Sequence, residues 1–347
     1  MHYVNQFFVG IGGEEKADVP VGSREGTVGP GKRLQDLLGD SAKIVTTVYC
    51  GDNYFAEHSD ETLASILKIA KDQDVKIVVA GPAFQAGRYG FACAEVMHYL
   101  STSLDLYCVG GMHIENPAVE TYKQYKDRGV FVLPTAADVS GMGEAISRMA
   151  NFIVRLASGA SIGPAVEEGY IPRGFRVSQF VNKSGSERAI DMLLDKLTGH
   201  PVTTEIPIEG FEVVPVPPRI TNISSTYLAL ASTAGLNPPG NPDRFTVGKN
   251  TRWGKYSIEK LNSMKDVEWD VIHSGYNTAF MRDNPNFGVP LDVCRDMERE
   301  GIFPSLYPYF YATSGGGGTI SDMQAIGKGM AQDIKAEGLD AVLLVST

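Results

Sequence analysis

The sequence predicts an α/β fold in which two doubly wound units with mainly parallel sheets are joined by a connector rich in proline and glycine. Two observations support this prediction. Short apolar runs alternate with segments of helical periodicity, which is the pattern of buried parallel strands and their covering helices. The length of 347 residues also exceeds the roughly 250–300 residues at which a single core stops growing, so more than one unit is expected.

The first unit, residues 1–157, is predicted from five apolar runs and four amphipathic segments. The expected strands are 2–9, 43–50, 75–80, 104–109 and 129–133, and the expected helices are 61–71, 92–100, 118–125 and 141–156. Their alternating order favours a sheet of the flavodoxin or Rossmann type, in which ligands bind beyond the carboxyl ends of the strands. Candidate site residues are therefore expected directly after the strands.

The composition changes at residue 158, where prolines and glycines become frequent. Residues 158–218 are expected to form the connector, with one helix at 187–197. The second unit, 219–347, is predicted to contain strands at 227–232 and 341–345, helices at 291–300 and 321–337, and a turn rich in glycine and proline at 235–242. Because an apolar strand normally feeds a covering helix, this unit is expected to be incomplete at its C-terminus.

The charge balance limits the classes of partner. The 41 acidic and 31 basic residues give a net charge of −10, which argues against nucleic acid or an anionic membrane as the main ligand. No apolar run reaches the roughly 18–20 residues that a bilayer span requires, and the first ten residues lack a basic leader. We expect a cytoplasmic protein that acts on small molecules together with partner proteins.

The four cysteines, Cys50, Cys93, Cys108 and Cys294, are widely separated and form no CxxC pair. Neither a zinc site nor a disulfide framework is supported, and free buried thiols are expected. Cys50 ends a predicted strand and Cys108 lies one residue before the end of another, so one functional thiol is an alternative.

The glycines at 10, 12 and 13 follow a predicted strand, but their spacing differs from the G-x-G-x-x-G pattern, and the adjacent Glu14 and Glu15 would repel a pyrophosphate. A dinucleotide cofactor is therefore not predicted. The two carboxylates are instead candidates to accept hydrogen bonds from a substrate ammonium group, the alternative being a solvated acidic turn.

Arg88 lies between a predicted strand and a predicted helix, where a guanidinium could bind a substrate carboxylate in bidentate fashion. A salt bridge to Asp52 or Glu95 is the structural alternative. Asp52, which follows the strand ending at Cys50, is itself a candidate substrate ligand.

Histidines supply the candidate proton donors. His113 precedes Glu115 and Asn116, two candidate substrate ligands beyond a predicted strand, and His273 follows an apolar run. His273 is the better candidate, although a single histidine is more often structural. The glycine loop 315–318 precedes a helix, so the N–H groups of Gly316 and Gly317 could hold an anion, or the loop could be a plain connector.

Several longer stretches carry a resemblance to a known family. The opening residues 2–18, HYVNQFFVGIGGEEKAD, form the longest stretch, and the others are CGDNYF at 50–55, AGPAF at 80–84, AGRYG at 86–90, ENP at 115–117, EEGYIPRG at 167–174, GNPD at 240–243 and RDMEREG at 295–301. Together they span the chain, which resembles the selenoprotein B subunits of the glycine, sarcosine and betaine reductases.

This resemblance implies a substrate-specific subunit of a complex that reductively cleaves the C–N bond of glycine, sarcosine or betaine and feeds acetyl phosphate formation. In the family a Ser-Thr pair precedes selenocysteine. We therefore expect selenocysteine immediately after Thr347, with Ser346 and Thr347 orienting it and His273 as proton donor. Selenocysteine is absent from these 347 residues, so translation is expected to have stopped at its UGA codon and the chain to be inactive.

The resemblance also implies partners and cofactors. No cofactor is expected in this chain, and a pyruvoyl group is expected on the partner subunit of component B. The other expected partners are selenoprotein A, component C, the thioredoxin system and a small amine substrate, within an oligomeric assembly. No metal site is expected.

Departures from the family pattern leave the substrate open, namely Gln85, Asn277, the glycines at 315–318 and the residues 252–254. Two other functions also fit the sequence. The chain could be a non-catalytic scaffold or small-molecule binding module that docks a partner through the aromatic segment 307–311. It could also be an isomerase that pairs Cys50 or Cys108 with Cys294.

Overall fold

The structure is a computed structural model that describes residues 1–126, 129–174, 182–202, 214–248 and 250–347. Met1–Arg173 and Asn222–Thr347 belong to one compact unit, and Gly174–Thr221 form another. The larger unit holds a six-stranded and a four-stranded sheet, both mostly parallel, together with a short two-stranded one. The predicted α/β class with mainly parallel sheets is confirmed. The predicted bounds at 157 and 218 stay a prediction.

The first sheet follows the predicted alternation of strands and helices. Its strands are β1 His2–Asn5, β2 Gly22–Glu25, β3 Thr46–Cys50, β4 Ile77–Ala80, β5 Tyr107–Met112 and β6 Val130–Pro134. The helices are α1 Pro30–Leu38, α2 Asp52–Glu57, α3 Ser59–Asp72, α4 Gly87–Leu104, α5 Ala118–Gln124 and α6 Met142–Ala157, followed by the short α7 Ala165–Glu168. The spatial order is β2-β3-β1-β4-β5-β6, and β2 alone runs antiparallel to its neighbour.

Two apolar cores cover the two faces of this sheet. Leu34 of α1 and Ile146 of α6 pack with Val79 and Val109 on one face. The other face packs against α2 to α5 through residues such as Ile66 and Met97. The unit is therefore doubly wound. Because the parallel strands share one direction, the loops that follow them all lie at one edge of the sheet.

The second sheet is smaller and also mixed. The remaining elements of this half are β7 Tyr227–Ser232, β8 Leu236–Asn237, β9 Trp253–Ser257, β10 Asp270–Val271, α9 Ala279–Asp283, α10 Leu291–Arg299, β11 Ser305–Thr313, α11 Ile320–Ala336 and β12 Ala341–Val345, with α8 Gly185–Thr198 before them in the chain. The order is β12-β7-β11-β9, in which β12, β7 and β11 are parallel and β9 is antiparallel. β8 pairs with β10 separately.

The smaller compact unit contains α8, which is the helix predicted at 187–197 with slightly wider bounds. Ser184 caps this helix through a reciprocal hydrogen-bond pair with Glu187. Its apolar residues, among them Leu193 and Leu197, are exposed. Part of the predicted connector, 175–181 and 203–213, lies outside the described residues.

Two predicted strand bounds and one predicted docking segment are corrected by the structure. The first strand ends at Asn5 and not at Val9, because the following residues turn. Residue 104 belongs to the end of α4, which Asp105 terminates in the left-handed conformation. The segment 307–311, proposed as a docking surface, is part of β11, an interior strand in which Tyr307 and Tyr311 are buried. They are therefore not available to dock a partner.

None of the helices within the described residues combines the length and the apolar character needed to cross a membrane. A cytoplasmic location stays a prediction.

Phe310 tests the core of the second sheet. It is fully buried, and its ring lies 5.4 Å from Trp269 and 5.8 Å from Tyr256 between centroids. We expect Phe310→Ala to lower the free energy of unfolding by about 3–5 kcal/mol, because it removes apolar contacts and leaves a cavity. The neighbouring Tyr309 is 39% exposed, so Tyr309→Ala should cost about 1 kcal/mol or less. Equal losses in urea denaturation would contradict this packing.

Candidate functional site

Arg88 is the centre of a polar cluster at the carboxyl edge of the first sheet. It lies in the first turn of α4, directly after the loop that follows β4. Its Nη2 donates to Glu14 Oε2 at 2.6 Å and to the carbonyl oxygen of Gly275 at 3.0 Å, and its Nη1 donates to Asn53 Oδ1. The guanidinium therefore joins three segments that are distant in sequence. The predicted alternatives, Asp52 and Glu95, are not the carboxylates that pair with it.

Glu14 is held in place by the loop that carries it. Its side chain is only 11% exposed, and Arg88 is its ion-pair partner. The following Ala17 accepts hydrogen bonds from the backbone N–H groups of Asn53 and Tyr54 at 2.9 and 3.1 Å. Gly51 is needed for this approach, since a Cβ there would lie 2.1 Å from the Ala17 oxygen. The loop bearing Glu14 is thus packed directly on the start of α2.

Asp52, the first residue of α2, is buried and only partly satisfied. Its Oδ2 accepts from the side-chain amides of Asn5 at 3.0 Å and Gln6 at 3.2 Å, and its backbone N–H donates to Gln6 Oε1 at 3.1 Å. Its Oδ1 has no hydrogen-bond partner in the described part of the chain. Burial raises the pKa of this carboxyl to about 6, although the two amides and Arg88 oppose the shift.

Glu115 connects the same edge to the second sheet. Its Oε2 accepts from the backbone N–H of Ile320 at 3.0 Å and from the Gln85 side chain at 3.3 Å. Ile320 begins α11, so the carboxylate occupies the electropositive end of that helix. Thr319 and Asp322 form a capping box at the same terminus. An anion expected at this helix end would therefore compete with groups of the protein itself.

His273 is buried among backbone groups near the carboxyl ends of β7, β11 and β12. Its Nδ1 accepts from the backbone N–H of Gly275 at 2.8 Å, so the neutral ring carries its hydrogen on Nε2. Nε2 lies 3.2 Å from Thr347 Oγ1. Burial lowers the pKa of His273 to about 4. His273 was expected to donate a proton as an imidazolium acid. Because its ring is neutral at pH 7, it can instead donate a hydrogen bond from Nε2.

The glycine loop 315–318 fits closely against the His273 segment. The backbone N–H of Gly315 donates to the Ile272 oxygen at 3.0 Å, and a Cβ on Gly315 would lie 1.5 Å from His273 Cδ2. Gly316 and Gly317 have φ values of +80° and +70°. A Cβ on Gly316 would lie 2.2 Å from Ser274 Oγ, and one on Gly317 would lie 2.1 Å from the Gly248 oxygen. The glycines are thus explained by close packing, and anion binding by this loop stays a prediction.

Thr347 and Ser346 follow β12. The backbone N–H of Thr347 donates to Thr233 Oγ1 at 3.0 Å, and the two hydroxyl oxygens are 3.2 Å apart. Thr233 directly follows β7 and donates its own N–H to the Val345 oxygen at 3.1 Å. This double attachment holds Thr347 beside His273, and both Ser346 and Thr347 are exposed.

Two of the predicted substrate ligands, Glu15 and Asn116, make hydrogen bonds that do not involve the Arg88 cluster. Glu15 is exposed, and its pKa is lowered by the hydrogen bond that its carboxylate accepts from the Gly13 N–H at 2.8 Å. Asn116 is buried, with its amide donating to the Phe84 and Ala86 oxygens and its Oδ1 accepting from the Ala118 N–H. Asn116 therefore ties together the loops after β4 and β5. Substrate binding by these two residues stays a prediction.

All four cysteines are buried thiols outside any disulfide. Cys50, Cys93 and Cys108 belong to the core of the first sheet, and Cys294 belongs to the core of the second. Burial raises the pKa of the Cys50 thiol to about 12 and raises that of Cys93 and Cys294. A facing pair of thiols, as the isomerase alternative requires, is not formed. Within the described residues no three metal-ligating side chains converge.

Five contributors to the site were missed at the level of sequence: Asn5, Gln6, Asn53, Thr233 and Gly275. Four of them directly follow or end a strand or lie in a stretch that carries the family resemblance, so their positions were a usable signal. Gly275 contributes only backbone groups, and the identity of a residue does not indicate that its backbone takes part in a site.

The profile of the family described as glycine/sarcosine/betaine reductase selenoprotein B matches residues 1–347. The glycine reductase complex component B subunit gamma of Carboxydothermus hydrogenoformans is 42% identical over the whole chain and 79% of the relative. The sarcosine reductase complex component B subunit beta of Peptoclostridium acidaminophilum is 40% identical over the same shares, 100% and 79%. The betaine reductase complex component B subunit beta of that organism is 36% identical, covering 99% of the chain and 78% of the relative. No solved structure matches the chain.

The fit between Gly315 and His273 predicts a large effect of a single methyl group. Gly315→Ala should lower the free energy of unfolding by about 1–3 kcal/mol, because the added Cβ overlaps the imidazole. Gly327→Ala is the matched control, since its Cβ in exposed α11 meets nothing and should stabilise the helix by up to about 1 kcal/mol. Urea denaturation of both variants measures this, and a Gly315→Ala protein as stable as the parent would contradict the packing.

Asp52 predicts a pH-dependent stability. Its folded-state pKa of about 6 lies above the ordinary value of 3.8, so ionisation should reduce stability as pH rises from about 4 to about 6. The total change is up to about 3 kcal/mol. In Asp52→Asn this loss should be absent, so the stability difference between variant and parent should move in favour of the variant over that interval. Asp36→Asn on the exposed face of α1 is the control, and parallel pH profiles for all three proteins would contradict the assignment.

Proposed function

Because the chain belongs to the glycine/sarcosine/betaine reductase selenoprotein B family, we propose that it is the substrate-specific subunit of a reductase complex for one of these amines. In this reaction the C–N bond breaks, the amine leaves with a proton, and the carbon fragment passes to selenoprotein A as a selenoether that feeds acetyl phosphate formation. The thioredoxin system is the source of electrons. The relatives are named as subunits of glycine, sarcosine and betaine reductase complexes, which supports an oxidoreductase role inside an assembly.

The observation that carries this proposal is the contact between the Arg88–Glu14 pair and the turn that holds His273. Glycine, sarcosine and betaine each combine a carboxylate with a cationic nitrogen. A guanidinium suits the carboxylate, and the nearby carboxylates Glu14 and Asp52 suit the cation. When the Arg88–Glu14 ion pair opens, the substrate carboxylate can take the place of Glu14 beside Arg88, and the substrate nitrogen can take the place of Arg88 beside Glu14. Neither protein charge is then left unpaired.

His273 and Thr347 support a reactive group at the opposite side of the same turn. The Nε2–H of a neutral imidazole is a hydrogen-bond donor, which fits an anionic nucleophile next to Thr347. A selenol there would supply a nucleophile that is already ionised at neutral pH. We propose that Thr347 and Ser346 flank this group and that His273 holds its anion.

The remaining partners are proposals that follow from family membership. A component B partner carrying a pyruvoyl group would provide an electron sink for primary and secondary amines, and component C would act on the product of selenoprotein A. This chain itself would then bind and orient the substrate and exclude water from the reacting carbon. We also propose that it acts as part of an oligomer.

The selenol proposal predicts that these 347 residues, which contain no selenocysteine, bind the substrate amine without turning it over. The matched protein carries selenocysteine joined to Thr347. With all partner components and a thiol reductant present, release of ammonia from glycine, methylamine from sarcosine or trimethylamine from betaine should occur only with the second protein, while calorimetry detects substrate binding by both. Release by the 347-residue protein would contradict the role of the selenol. Absence of binding by both proteins would contradict the substrate site.

A further inference from the structure

The His273 ring is confined more tightly than a hydrogen bond alone requires. A Cβ on Gly315 would lie 1.5 Å from Cδ2, and a Cβ on Gly275 would lie 2.9 Å from Cε1. The Tyr276 ring lies 4.2 Å away between centroids, and its hydroxyl donates to the Ala234 oxygen at 2.7 Å. The imidazole therefore has little room to turn over, and the donors and acceptors around it decide which nitrogen bears the hydrogen.

Gly275 is shared between that histidine and the first sheet. Its N–H donates to His273 Nδ1 at 2.8 Å, while its carbonyl oxygen accepts from Arg88 Nη2 at 3.0 Å. The residue has no side chain through which to be anchored. Arg88 is in turn fixed by Glu14 and Asn53. The orientation of the Gly275 backbone is thus set by a side chain 187 residues away in the sequence.

We propose that Arg88 is a positioning residue that fixes the His273 tautomer: by holding Gly275 it keeps a donor on Nδ1 and so directs Nε2–H toward Thr347. The chain of contacts runs from Glu14 through Arg88, Gly275 and His273 to Thr347. Its value for catalysis rests on the proposed function, but the tautomer itself does not. A substrate carboxylate that draws Arg88 away from Gly275 would weaken the hydrogen bond from the Gly275 N–H to His273 Nδ1 and so change the tautomer balance of the histidine.

Lysine at position 88 is the informative substitution. Lys retains the positive charge next to Glu14, but a single ammonium group cannot reproduce the forked donors that reach Glu14, Asn53 and Gly275 together. The Gly275 N–H should then be free to leave Nδ1. Arg148, which donates to the Pro134 and Gly169 oxygens, offers a matched control because it also binds backbone carbonyls but does not contact the His273 turn.

The test is ¹⁵N NMR of protein labelled on its six histidines, with the His273 signals assigned by their loss in His273→Asn. In the parent, Nδ1 should resonate as an unprotonated nitrogen and Nε2 as a protonated one. Arg88→Lys should shift the two signals toward each other, as expected for a mixture of tautomers, whereas Arg148→Lys should leave them unchanged.

Unchanged His273 signals in a folded Arg88→Lys protein would overturn the proposal and assign the tautomer to the glycine packing alone. Should that variant not fold, Asn53→Ala removes one acceptor of the guanidinium and should give a smaller shift in the same direction. No shift in Asn53→Ala would then also count against the proposal. Because the spectra need no substrate, failure of the turnover experiment and failure of this one are separate results.

Discussion

The interaction on which the site depends is the sharing of one guanidinium among three chain segments. Arg88 binds a carboxylate from the loop after β1, an amide from α2 and a backbone carbonyl from the second half of the chain. Guanidinium is suited to this because its donors diverge in a rigid plane and it remains charged at any physiological pH. Loss of one acceptor would leave the others with an altered geometry, so this guanidinium forms a polar junction between the first sheet and the second half of the chain. Glu115 at the start of α11 provides a second link.

Burial gives the site two groups that ionise unlike their free counterparts. His273 is kept neutral at pH 7, because burial lowers its pKa to about 4, while Asp52 is held close to its ionisation point by a pKa of about 6. The two shifts affect stability in opposite directions between about pH 4 and pH 6: protonating His273 costs stability as pH falls, and ionising Asp52 costs it as pH rises. The combination suits a site that accepts a zwitterion without gaining net charge.

The strands and helices that were predicted are those whose apolar pattern is strong. β4, β6 and β7, with α6, stand close to their predicted positions, because each buries a continuous run or a clear stripe. β2 is short and polar, and β9 contains Gly254 and Lys255, so neither carries that signal. β11 contains Pro308 and a register shift between Leu306 and Phe310, which obscured an interior strand.

The residues of the site likewise divide into those that the sequence predicted and those that it did not. Glu14, Asp52, Arg88 and His273 were predicted from their places after strands, and they do converge. The ion-pair partner of Arg88 could not be predicted, since the fold of the Glu14 loop decides it. For the glycines at 315–318 the sequence left an anion-binding loop and a plain connector open. The packing of Gly315 and Gly316 against His273 and Ser274 depends on contacts with a segment about 40 residues earlier in the chain, which the sequence does not reveal.

A crystal structure with sarcosine or glycine bound would show whether the Arg88 cluster holds the substrate. We expect electron density for the amine between Arg88 and the His273–Thr347 pair, with its carboxylate on the guanidinium and its nitrogen near Glu14 or Asp52. Density elsewhere, for example in the groove of about 600 Å³ lined by Tyr256, Trp269 and Pro238, with the Arg88 contacts unchanged, would contradict it.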